Sequence, residues 1–105
     1  MIEIVNMHER KHIHDPLNGY FRVDRWSPLG NPYIMHSEED RDRVCDAYEG
    51  IFQEMLRNIP RAMMYLNTIL DYYKLHGKVY LVCWCSPLRC HAETIKRWLE
   101  NHKEI

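Results

Sequence analysis

Residues 78–84 read KVYLVCW, and residues 85–91 continue with CSPLRCH. The first run is a continuous stretch of β-branched and apolar side chains, the pattern of a strand covered on both faces. Ser86-Pro87 then turns the chain. Ile95, Trp98 and Leu99 follow at helical spacing as the apolar face of a last helix. A buried strand, a short loop and a helix are the repeating unit of parallel α/β sheets.

Upstream of this unit, Gly77 is placed to stop a helix whose buried stripe is Met63, Leu66, Ile69, Leu70 and Tyr73. Pro60 suits the first turn of that helix. Val44, Tyr48, Ile51, Phe52, Met55 and Leu56 mark an earlier amphipathic helix over 38–58. Ser37 reads as its N-cap, with Glu38, Glu39 and Asp40 favoured by the dipole in the first turn. Two more strands precede it, IEIVNM at 2–7 and YFRVD at 20–24, separated by a polar connection with turn signals at Asp15-Pro16 and Asn18-Gly19. WSPLGNPY at 26–33 is a loop. The order β-β-α-α-β-α predicts an α/β fold, a small three-layer Rossmann-like sheet, with 78–83 paired parallel to 2–7. Residues 1–105 read as a single domain.

In such sheets ligands bind beyond the carboxyl ends of the strands, where Cys83 and Cys85 fall. Alternation turns those two thiols to one face and Trp84 to the other. Cys90 and His91 are expected in the first turn of the last helix, where the dipole favours a thiolate. Three readings of the cluster stand side by side. Cys83, Cys85, Cys90 and His91 could ligate zinc, although their spacing is tighter than paired C-x2-C knuckles and adjacent helical residues diverge. Cys90 or Cys83 could be a catalytic nucleophile, or part of an anion pocket, activated by the dipole, His91 and Arg89. The cysteines could also be inert packing, as Cys45 is expected to be. A disulfide framework fits poorly, because three of the four cysteines lie within eight residues.

A second constellation is Arg25, Ser27, Gly30 and Asn31 in RWSPLGNP. Arg25 could fork onto a phosphate, Gly30 permits close approach, and Asn31 can both donate and accept. These are equally the residues of ordinary turns. The run matches neither the P-loop nor the dinucleotide fingerprint.

The formal net charge of -1 gives no global reason to expect a nucleic-acid partner. No apolar run approaches the roughly 20 residues that cross a bilayer. The opening MIEIVNMHERKH lacks the form of a secretory signal, so the cytoplasm is the expected compartment. The histidines at 8, 12, 14, 36, 76 and 102, and the arginines Arg41, Arg43, Arg57 and Arg61, read as solvated. Met63, Met64, Tyr65, Tyr72 and Tyr73 exceed what one helix can bury and leave room for a homodimer.

RVDRWSPLGNPY, followed some fifty residues later by GKVYLVCWCSPLRCHAETI, resembles the family called domain of unknown function 4326, found in bacteria and their phages. The early pattern R-x-S-x-x-G-N-P falls on Arg25, Ser27, Gly30, Asn31 and Pro32. The late pattern C-W-C-x-P-x-x-C-H falls on Cys83, Trp84, Cys85, Pro87, Cys90 and His91, with an acid shifted to Glu93. The resemblance implies a small bacterial or phage cytoplasmic protein and assigns no activity. A looser similarity to domain of unknown function 488 implies a Rossmann-like arrangement with a shared pocket. Together the two patterns imply Arg25 and Asn31 facing Cys83, Cys90 and His91 across a cleft for an anionic, nucleotide-like small molecule. The alternative is a non-catalytic interaction module with a structural zinc site. Zinc is the only cofactor the sequence suggests.

Overall fold

The computed structural model describes residues 1–9 and 14–103. Three strands, β1 (Ile2–Asn6), β2 (Tyr20–Arg22) and β3 (Val79–Cys83), form one sheet in the order β1-β3-β2. Three helices complete the fold: α1 (Arg41–Asn58), α2 (Pro60–His76) and α3 (Ala92–His102). The β3 run lies between the other two strands and is parallel to both. Ile2 pairs with Val79 and Asn6 with Cys83, while Tyr20 pairs with Tyr80 and Arg22 with Val82. Burial of Val79, Leu81, Val82 and Cys83 on both faces is what the unbroken apolar run requires. Each such aliphatic side chain contributes roughly 1.5–3 kcal/mol by leaving water.

The two faces of the sheet are covered differently. Val79, Leu81 and Cys83 join Ile2, Phe21 and the buried side chains of α1, α2 and α3 in one core. Val82 points the other way, into a small cluster with Val5 and with Met7 from the turn that follows β1. Stacked Tyr20 and Tyr80 extend that second face. Among the described residues, then, helices cover one face, and the start of the β1–β2 connection takes the place of a third helical layer. Among the described residues no helix is long and apolar enough to cross a membrane.

Several boundaries differ from the sequence reading. The first helix begins with a 3-10 turn, Glu38–Asp40, before α1 proper. Ser37 makes no side-chain cap bond there. Instead the Asp40 carboxylate accepts the His36 N–H at 3.1 Å. Pro60 opens α2 and Gly77 closes it in the left-handed conformation. His91 is the residue before α3, so Cys90 and His91 precede its first turn. His12 lies outside the described residues. Of the aromatic and methionine side chains on α2, Tyr73 is buried, and Met63, Tyr65 and Tyr72 pack against the core. Met64 is the exposed one of the five.

Candidate functional site

Beyond the carboxyl ends of the strands lies a cleft of about 250 Å³. The 24–35 loop, the start of α1 and the segment from Cys83 to His91 wall it, so both sequence patterns contribute to one site. The 84–86 backbone is tied to β1. Asn6 Nδ2 donates to the carbonyls of Trp84 (3.2 Å) and Ser86 (2.7 Å), and Ser86 Oγ donates to Ile4 O (3.2 Å). A turn closed by Leu88 N–H on Cys85 O (2.8 Å) then returns the chain toward Cys90.

Cys83, Cys85 and Cys90 meet in the cleft wall. Cys83 and Cys90 are buried, whereas Cys85 is half-buried. The Cys90 thiol lies within electrostatic reach of both of the others, and the Arg41 guanidinium within reach of Cys85. Hydrogen bonding by Cys90 draws Cys83 down to about 7. The Cys90 thiol and Arg41 together draw Cys85 down to about 6. Cys90 is pushed up, because it is the proton-bearing partner of both and is buried. The three thiols titrate as a set. The Arg41 guanidinium favours negative charge on Cys85.

His91 lies behind Cys90. Its Nε2 bonds the Val23 carbonyl, which can only accept, so the ring proton sits on Nε2. Nδ1 is then an acceptor facing Cys90 Sγ at 3.4 Å. Burial holds the imidazole below its ordinary pKa and therefore neutral. With both nitrogens engaged, His91 is not turned toward a metal shared with the thiols. Among the described residues no three His, Cys, Asp or Glu side chains are arranged to hold a metal ion. The cluster in this conformation is a thiol–imidazole network and not a four-ligand cage.

The other sequence-predicted residues separate into two groups. Ser27 is buried, its hydroxyl donating to Asp24 O (3.0 Å) and accepting from Leu29 N–H (3.2 Å). Asn31 donates to Val44 O (3.2 Å) and accepts from Tyr33 N–H (2.9 Å), so its amide is committed to the loop even where it lines the cleft. A Cβ on Gly30 would stand 2.6 Å from Arg25 Cα, so the close approach it permits is to its own loop. Arg89 pairs with Asp42 (3.0 Å) and Asp46 (2.7 Å) of α1. Arg25 lines the cleft, and among the described residues its Nη2 donates to the Tyr33 carbonyl, at 3.3 Å. The start of α3 is not an open anion seat, since Glu93 Oε2 accepts the Cys90 N–H at 3.2 Å.

Two participants escaped the sequence reading. Arg41 was expected to be solvated, but its side chain is only 12% exposed. It bonds Glu38 (2.8 Å) and the Arg89 carbonyl (2.8 Å), and its charge acts on the Cys85 thiol. Asp24 is buried and takes two bonds from Arg22 (3.0 and 2.7 Å) and one from Trp84 Nε1–H (2.8 Å). Burial opposes its charge, but these donors hold its carboxyl below the usual range. A lone acid between a strand end and a loop motif was the one signal for Asp24. For Arg41 the local sequence carries none.

The fold and site define a small parallel α/β protein with a thiol-lined cleft at the carboxyl edge of its sheet. The family model described as Domain of unknown function (DUF4326) matches residues 5–101, and the chain belongs to that family. Neither the curated proteins nor the solved structures gave a match.

Proposed function

We propose that the cleft binds a small anionic molecule of nucleotide-like form and presents it to the cysteine–histidine cluster. The observation that carries this reading is the state of the three arginines in the cleft wall. Arg41 and Arg89 are paired with carboxylates, whereas Arg25 has no carboxylate partner among the described residues. Arg25 is therefore the group available to fork onto a phosphate or carboxylate. Tyr33, Met35, Val44 and Trp84 offer an apolar lining for a flat ring. The volume of about 250 Å³ sits just under the usual 300–1,000 Å³ of small-molecule sites. That size suits one nucleotide-sized ligand and not a dinucleotide. Cys85 is the least buried of the three thiols lining the cleft, and Cys90 with His91 holds the exchangeable protons.

The test is titration of the folded chain with a nucleoside monophosphate and with its parent nucleoside, followed by tryptophan fluorescence, because Trp84 lines the cleft. A saturable change with the phosphate ester is expected, much weaker with the nucleoside. Arg25→Ala should weaken binding by about tenfold or more, the loss of one charge-assisted pair. Equal binding of the two compounds, or binding indifferent to Arg25→Ala, would overturn the reading.

A further inference from the structure

Holding an anion needs no thiol, yet three converge in this wall. Their exposure is graded: all three line the cleft, but Cys83 and Cys90 are buried and Cys85 is half-buried. Cys90 shares the cleft wall with Cys85 and has an acceptor, His91 Nδ1, at 3.4 Å. Arg41, anchored by Glu38 and the Arg89 carbonyl, stands against Cys85. An accessible thiol beside a fixed cation, backed by a buried thiol with its own base, is the geometry of an attacking and a resolving cysteine.

We propose that Cys85 and Cys90 carry out thiol–disulfide exchange with a low-molecular-weight disulfide that enters the cleft. The Cys85 thiolate attacks one sulfur of the disulfide. That S–S bond breaks, a mixed disulfide forms on Cys85, and one small thiolate leaves. Cys90 then passes its proton to His91 Nδ1 and its sulfur attacks Cys85 Sγ. The second small thiolate leaves and takes the proton back from His91. The two cysteines lose two electrons as a Cys85–Cys90 disulfide, and the small disulfide gains them as one thiolate and one thiol. Charge balances, with one thiolate consumed and one released. Oxidation also removes the charge that faces Arg41, so the two states of the cleft present different potentials to a ligand.

The inference goes beyond the anion-binding reading and does not depend on it. A neutral probe, bis(2-hydroxyethyl) disulfide, separates the two, because it offers Arg25 no charge to bind. After reaction with the reduced, folded chain, acid quenching and tryptic digestion, peptides 79–89 and 90–96 should be joined, since cleavage after Arg89 parts the two cysteines. Cys90→Ser should stop the reaction at a stable mixed disulfide on Cys85. Cys85→Ser should slow the first step by about tenfold or more. Substoichiometric iodoacetamide on the unaltered chain gives a readout free of folding effects, and Cys85 should be labelled first. First labelling at Cys45, Cys83 or Cys90 would overturn the proposal. So would a persistent mixed disulfide without cross-linking in the unaltered chain, or Cys85→Ser reacting at the parent rate in a folded state.

Discussion

Gly30 has no room for a side chain. A Cβ there would lie 2.6 Å from Arg25 Cα and 2.7 Å from Asp24 O, both backbone atoms that cannot swing away. Gly30→Ala should therefore destabilise the fold by roughly 2 kcal/mol, the scale of forced overpacking, read as a lower urea midpoint at unchanged slope. Arg25 adjoins this contact, so the substitution should also weaken anion binding. Ser27, Gly30 and Asn31 resembled ligand contacts in the sequence because turns and binding loops draw on the same small and polar residues. Only the partners of each atom separate the uses, and here those partners are the loop itself and the Val44 carbonyl. Cys85 yields a second prediction at this scale. Its thiol is drawn down to about 6 by Cys90 and Arg41, so alkylation should accelerate as pH rises through about 6. An ordinary thiol would accelerate only near its reference value of 9.0. Arg41→Ala should move the rate profile toward higher pH.

The elements were largely legible because each carries a local signal. Pro60 starts α2, Gly77 ends it, and the apolar period of α1 locates its buried face. Gly77 sits at φ 72°, and a Cβ there would meet nothing within 4 Å. The cost of Gly77→Ala is thus conformational alone, about 1 kcal/mol, and a thermal melt of this variant should show a correspondingly small loss. Charge patterning misplaced Arg41 as solvated for an identifiable reason. It reads interleaved charges as a solvated helix face, but the first turn of α1 is covered by a loop forty-eight residues away. The contact that buries Arg41 is made with the Cys85–Cys90 segment, and nothing near Arg41 in sequence encodes it. The last helix presents the same limit. Its apolar face was evident, while the engagement of its first amide neighbour by Glu93 depends on side-chain conformation.

Across the whole molecule, the titrating groups set how stability follows pH. His91 is held neutral below its reference value of 6.5, so as pH falls through that value the unfolded chain binds a proton that the native one refuses. Stability therefore drops as pH falls below about 6.5, by at most about 1.4 kcal/mol per pH unit for this group. Cys85 acts with the same sign over a higher window. Its contribution is full above the unfolded value of 9.0 and is lost as pH falls through about 6. Melting temperatures should decline steadily from pH 9 to below 6, and His91→Gln should flatten the lower part of that decline. By itself the sequence determined the α/β class, the three strands and helices, the parallel pairing of 78–83 with 2–7, and the density of chemistry from Cys83 to His91. Those follow from propensity, apolar period and residue type, which are local properties. The tertiary structure decided which face the helices cover, that Arg89 is paired while Arg25 has no carboxylate partner among the described residues, that Arg41 lies near Cys85, and that Cys85 is the least buried thiol of the three. Each of these depends on which distant segments come into contact, and a side chain's charge state and accessibility are set by those contacts.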